Sequence, residues 1–216
     1  MEVFKGVHIV PGIANDSNIY VIDNEIIVDT GTGEFFHQAR QEIEKAVDPK
    51  RIKLIINTHY HYDHTGGNKK FRDWLRVPIA AHKADRELIE RGRTLSESFH
   101  QVAKIVTIDK ELKDGDIIHT ENFNLAVIHT PGHSAGSICL YEPEKKMLIS
   151  GDMLFDGNVG RTDLPGGNYN ETRFSLEKLD KMNIQYLFPG HGLLKIGGVN
   201  FMIKKLLVSM ETSHMI

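Results

Sequence analysis

Short apolar runs separated by turn residues open the chain: Val3 to Val10, Asn18 to Ile22 and Ile26-Ile27-Val28, with Pro11-Gly12 and Asp23-Asn24 between them. Runs of that length bounded by turn chemistry predict strands in an antiparallel meander. From Glu34 to Val47 the period changes, with Phe36, Ala39, Ile43, Ala46 and Val47 at helical spacing and Pro49 as the stop. This predicts a helix on a sheet face. Lys53-Leu54-Ile55-Ile56 then predicts a buried strand, Asn68 to Leu75 a helix and Val77 to Ala80 a further strand, which together make a βαβ unit. The polar, helix-prone stretch from Lys83 to Lys104 is expected to cover one side of a site, as an insertion or lid would.

A second β-rich half follows, with strands predicted at Ile105-Val106-Thr107-Ile108, Ile117-Ile118, Phe123 to Ile128, Ser137 to Tyr141 and Met147 to Ile149. Helices fit Glu171 to Lys181 and Gly198 to Met210, around an apolar Leu187-Phe188. Two β-rich halves, each closed by helices, predict two packed sheets with helices outside. Neither an internal repeat nor a low-complexity linker divides the chain, so residues 1–216 are expected to form a single domain.

The composition (40% hydrophobic, 25% charged, 8% aromatic) belongs to an ordinary globular protein, not to a disordered or fibrous one. A net charge of −3, with Lys and Arg spread along the chain, supplies no basic face for nucleic acid. No segment has the roughly 18 apolar residues of a membrane span and the N-terminus lacks an apolar leader, so no membrane partner is expected and a cytoplasmic location is the default. The sole cysteine, Cys139, sits in an apolar run and reads as a core thiol. The oligomeric state stays open.

Histidine changes the picture, because 12 are present and they cluster. His59-Tyr60-His61-Tyr62-Asp63-His64 follows the Leu54-Ile55-Ile56 strand and precedes Thr65-Gly66-Gly67. Residues two apart share a side only in extended backbone, so the segment is predicted to be an extended loop. His59 and His61 would then converge on one point, while Asp63 and His64, where the chain turns, reach a second point nearby. Two metals need further donors. They occur just past apolar runs, each beside a glycine that lets the backbone turn: His133 in Thr130-Pro131-Gly132-His133, Asp152 in Ser150-Gly151-Asp152, and His191 in Pro189-Gly190-His191-Gly192.

In residue type and order, from roughly Ile26 to Gly192, this pattern resembles the metallo-β-lactamase superfamily. The resemblance implies an αββα sandwich, an α/β fold of two packed mixed sheets with helices on both outer faces. It also implies one metal on His59, His61 and His133, another on Asp63, His64 and His191, and Asp152 bridging both, with Asp63 and Asp152 counted in the catalytic machinery. Imidazole and carboxylate suit two divalent ions, zinc first, with iron an option at one or both sites, and a cage without thiolate keeps positions open for water. Two such ions about 3.5–4 Å apart could share a hydroxide and polarise a carbonyl. Asp29, ending a strand at the same rim, is the candidate to orient an imidazole. His8, His37, His82, His100, His119, His129 and His214 lack such spacing and read as surface or structural, with His100 alone a candidate to line the pocket.

Gly160-Arg161-Thr162-Asp163, followed by Leu164-Pro165-Gly166-Gly167, looks like the motif of glyoxalase II-like hydrolases and of the related persulfide dioxygenases. The resemblance makes Arg161, with Asp163, the substrate contact, through a two-pronged hydrogen bond to a carboxylate. The chain departs from glyoxalase II where Gly192-Leu193 replace Glu-Tyr after the last histidine, and where 25 residues follow His191 instead of a helical domain. The expected activity is hydrolysis of small-molecule acyl thioesters or related esters. A mononuclear iron persulfide dioxygenase using His59, His133 and Asp152 is the alternative. A lactonase, a ribonuclease-type member and a non-catalytic metal-binding module are further ones.

Overall fold

The computed structural model describes residues 1–212. The chain folds as two compact units, Met1–Leu112 with His119–Phe123, and Lys113–Ile118 with the chain from Asn124 onward. Each unit carries a mixed β-sheet flanked by helices.

The first sheet has seven strands in sequence order. Strands β1 (Glu2–Phe4), β2 (Val7–Val10), β3 (Ile19–Ile22) and β4 (Ile26–Val28) pair antiparallel. Helix α1 (Phe36–Ala46) leads to β5 (Leu54–Ile56), then come α2 (Tyr62–Thr65), α3 (Asn68–Leu75), β6 (Ile79–His82), α4 (Lys83–Glu90) and β7 (Lys110–Leu112). From β4 to β7 the pairing is parallel, with Ile26 opposite Leu54 and Val28 opposite Ile56. Every residue of β3 to β6 is buried, which explains why they read as unbroken apolar runs. On one face α1, α3 and α4 contribute Phe36, Ala39, Ile43, Phe71 and Ile89 to a core with Ile27, Ile55 and Ile79. Phe36 and Phe71 meet edge to face at 5.2 Å. Truncating a fully buried phenylalanine such as Phe71 costs about 3–5 kcal/mol.

The second sheet takes the order β15, β14, β11, β10, β9, β8. Its elements are β8 (Ile117–His119), β9 (Asn124–His129), β10 (Ile138–Glu142), β11 (Met147–Gly151), a small hairpin of β12 (Leu154–Phe155) and β13 (Asn158–Val159), α5 (Tyr169–Asp180), β14 (Tyr186–Pro189), β15 (Lys195–Ile196) and α6 (Val199–Thr212). β11 and β14 run parallel, with α5 as the crossover. The Asn168 side chain starts α5 by accepting from the amides of Asn170 and Glu171. Leu176, Leu179, Val199 and Ile203 pack with Cys139, Leu148 and Leu187 in this unit's core.

Several expected elements differ. The run Val3 to Val10 is a hairpin, because Gly6 at φ +79° reverses the chain. The helix-prone stretch from Lys83 stops at Glu90, and Gly92 at φ +66° precedes a single 3₁₀ turn at Ser96–Phe99. No strand forms at Ile105 to Ile108, although Val106 and Ile108 are buried; the strand lies at β7 instead. Among the described residues no helix is long and apolar enough to cross a membrane.

Candidate metal centre

In the first unit the histidine-rich segment leaves the end of β5. His59-Tyr60-His61 is not helical, and the chain then turns into α2, with His61 at the cap position (φ −61°, ψ 149°). The predicted extended loop is therefore half right. The short helix swings Asp63 and His64 round beside the histidines that precede them. The His59 ring lies 4.7 Å from that of His61 and 4.1 Å from that of His64, and all three residues are buried. Asp63 Oδ2 is 3.8 Å from His64 Nε2.

Hydrogen bonds from within the segment and from distant residues hold this turn. The Tyr60 amide donates to the buried Asp85 carboxylate at 3.0 Å, Thr65 Oγ1 donates to the His61 carbonyl at 3.0 Å, and the Ser17 amide donates to the Asp63 carbonyl at 3.1 Å. Gly66 and Gly67 serve close approach here. A Cβ on Gly67 would sit 2.2 Å from the Thr30 carbonyl oxygen, and one on Gly66 2.5 Å from that of Thr32.

Asp29 does orient an imidazole. Its carboxylate accepts from the Thr58 amide (2.8 Å), from Thr58 Oγ1 (2.7 Å) and from His64 Nδ1 (2.8 Å). A carboxylate only accepts, so Nδ1 of His64 carries the proton and Nε2 keeps its lone pair. Thr58 spends its one hydroxyl hydrogen on Asp29, so toward His59 Nδ1, at 3.1 Å, it can only accept. His59 is thereby held in the same tautomer, with the Nε2 lone pair available to a metal.

The second unit repeats the logic. His133 follows β9, Asp152 follows β11 and His191 follows β14. His133 Nδ1 is 2.8 Å from the Arg161 carbonyl oxygen, an obligate acceptor, so its Nε2 also keeps the lone pair. Asp152 Oδ2 stands 3.5 Å from His133 Nε2 and 3.7 Å from His191 Nε2. Atoms bound to one ion at about 2.1 Å and at tetrahedral angles lie about 3.4 Å apart, so these separations suit shared ligation better than direct hydrogen bonds. Gly132 at φ +138° and Gly151 at φ +49° provide the expected turns, and the Gly190 amide donates to the Gly151 carbonyl at 2.7 Å, tying two of the loops together. Gly160 packs so closely that a Cβ would lie 2.0 Å from the Asp152 carbonyl oxygen and 2.9 Å from His133 Nδ1.

Thr58, Asp85 and the backbone carbonyl of Arg161 were not singled out from sequence. The Arg161 guanidinium forks onto Asp163 at 3.0 and 2.7 Å, on an exposed loop, and this hydrogen bonding pulls the Asp163 carboxyl down to about 2. His100 is exposed in a left-handed turn, whereas His82 is buried and caps α4 through Nδ1. His214 lies outside the described residues. Burial pushes the Cys139 thiol up to about 12, as suits a core residue and not a nucleophile.

A family model described as the metallo-beta-lactamase superfamily matches residues 12–191, a span that includes all seven candidate ligands. The chain belongs to the metallo-beta-lactamase superfamily. Within this superfamily it is 32% identical over 200 residues to the hydroxyacylglutathione hydrolase GloC of Haemophilus influenzae, covering 86% of this chain and 90% of that protein. It is 30% identical over 210 residues to the human acyl-coenzyme A thioesterase MBLAC2, covering 82% and 73%. Among solved structures, the BLEG-1 B3 metallo-beta-lactamase superposes with a TM-score of 0.81 at 28% identity, over 93% of this chain and 99% of that one. TTHA1623, solved in a di-iron-bound form, gives 0.76 at 26% identity, over 90% and 96%. The fold is therefore the metallo-beta-lactamase fold, and the His and Asp clusters of this superfamily member fit metal ligation.

Proposed function

We propose that His59, His61, Asp63, His64, His133, Asp152 and His191 together hold two divalent metal ions in one domain, and that the protein hydrolyses acyl thioesters or related esters. The observation that carries this reading is the fixed tautomer of His59, His64 and His133. In each, an acceptor holds the Nδ1 proton and leaves Nε2 as a metal-binding lone pair. A structural zinc site would need no open position, whereas this donor set, all imidazole and carboxylate, leaves room for water and substrate. The thioesterase and hydroxyacylglutathione hydrolase relatives support an acyl thioester as the substrate.

When bound, two such ions lower the pKa of a water and polarise an acyl carbonyl. The chain's own residues do the rest. Asp29, Thr58 and the Arg161 carbonyl orient imidazoles. Asp152 Oδ2 stands near Nε2 of both His133 and His191, so Asp152 would be the carboxylate shared between the two ions. Asp63, partly exposed beside His64, is placed to hold the proton that the attacking water gives up. Zinc is the metal we assign. The competing reading is a mononuclear iron persulfide dioxygenase on His59, His133 and Asp152, and TTHA1623, solved in a di-iron-bound form, keeps iron an option on this fold.

Chelation followed by reconstitution separates the two. Acetyl-coenzyme A hydrolysis should vanish in a strong chelator and return with zinc. Hydrolysis untouched by chelation, or persulfide-dependent oxygen uptake restored by iron with no hydrolysis under either metal, would overturn the thioesterase reading.

A further inference from the structure

His59 and His61 flank Tyr60, and within the first unit the main chain of Tyr60 is gripped on both sides. Its N–H donates to Asp85 Oδ2 at 3.0 Å, and its carbonyl accepts from Thr65 Oγ1 at 3.2 Å. The Tyr60 ring is buried in the core that holds Ile79, Ala81 and Ile89, and it meets the His61 imidazole edge-on at 4.5 Å. A rotation of Tyr60 would therefore carry both flanking imidazoles with it.

Asp85 reaches Tyr60 from the next strand along the sheet. β5 and β6 pair parallel, so the histidine segment and α4 leave the sheet at the same end. The Asn57 amide donates to the Ala80 carbonyl at 2.9 Å, which keeps the two chains together just past β5. His82 then caps α4, its Nδ1 accepting from the Ala84 amide at 3.3 Å, and this sets the first turn in which Asp85 lies.

The residue type at this place needs a reason. Asp85 is 0% exposed, on a helix whose Ile89 belongs to an apolar core. A carboxylate loses its hydration there, a cost that a neutral acceptor for the same amide would not carry. What the charge adds is a hydrogen bond roughly twice as strong as a neutral one. Such stiffness suits a donor pair that must be held within about 0.5 Å of its working geometry.

We infer that Asp85 is a positioning residue for the metal centre, which fixes the aim of His59 and His61 through the Tyr60 amide before any ion arrives. The inference rests on the two-ion reading and extends it to a residue outside the donor set.

Chelator competition on the purified protein gives the zinc affinity, and thermal melting of the metal-free form gives the stability. Asp85→Ala, and Asp85→Ser whose oxygen is too short to reach the amide, should each weaken one of the two zinc ions about tenfold or more. Asp85→Asn keeps an acceptor at the same reach and should stay within about threefold of the wild type, a neutral bond being weaker but placed alike. Ile89→Ala, on the same helix and 2% exposed in the wild type, removes packing and keeps the bond. It should lower the melting temperature of the metal-free protein and leave zinc affinity unchanged. Hydrogen exchange in the wild type needs no variant: the Tyr60 amide should already be protected without metal. Unchanged affinity in the Ala and Ser variants, Asp85→Asn as weak as Asp85→Ala, an equal loss in Ile89→Ala, or protection of Tyr60 that appears only with zinc would each overturn the inference, while zinc binding by the wild type keeps the two-ion reading standing. A wild type that binds no zinc overturns both.

Discussion

At Asp29 three donors converge on one buried carboxylate, and two of them belong to a single neighbour, Thr58, while the third is His64 Nδ1. Asp29→Asn separates charge from shape. Asparagine tolerates the left-handed backbone at φ +60° as aspartate does, so the turn should survive. The amide, however, presents an NH₂ where a donor now points, and His64 and Thr58 lose the acceptor that sets their protons. Metal affinity, measured by chelator competition, is expected to fall about 10–100-fold with little change in thermal stability. Unaltered affinity would mean that Asp29 only braces the turn. The seven candidate ligands stand out in the sequence because H-x-H-x-D-H and three glycine-flanked donors carry their own spacing. Thr58 and the Arg161 carbonyl do not. Thr58 is defined by a partner 29 positions away, and Arg161 acts there through a backbone oxygen that every residue possesses.

On the scale of elements, the loop from Gly160 to Asp163 carries an ion pair of its own. Arg161 holds the carboxylate of Asp163, so an anionic substrate that used Arg161 would have to displace it. Both side chains are exposed, and an exposed pair is worth little, so the exchange is feasible. Asp163→Ala should therefore lower KM for an anionic thioester such as succinyl-coenzyme A by a few fold, and Arg161→Ala should raise it, with kcat nearly constant in both. Equal KM values in wild type and both variants would show that the pair merely stiffens the loop. Apolar periodicity identified α1, α3, α5 and α6 to within about two residues. It failed at Ile105 to Ile108, where burial is real but no strand forms, since alternation reports which residues leave water and not which backbone pairs with which. It also missed α2, because a four-residue helix has no period to display and is held by contacts from Thr30, Thr32 and Ser17.

At the scale of the whole molecule, the donor set is divided, with His59, His61, Asp63 and His64 in one compact unit and His133, Asp152 and His191 in the other. The superfamily match runs unbroken across both. Each half is built the same way, with donors just past strand ends, imidazoles fixed through Nδ1, and glycines where the backbone must pass close to another chain segment. A mononuclear iron enzyme using His59, His133 and Asp152 has no need of His64, whereas a two-ion hydrolase does. The decisive measurement is metal content together with acyl thioester hydrolysis in wild type, His64→Ala and Asp152→Ala. Two ions per chain in the wild type, about one in His64→Ala with hydrolysis reduced by orders of magnitude, and loss of both metal and hydrolysis in Asp152→Ala are the expected results. Full metal content and full hydrolysis in His64→Ala, with both abolished in Asp152→Ala, would contradict a two-ion centre.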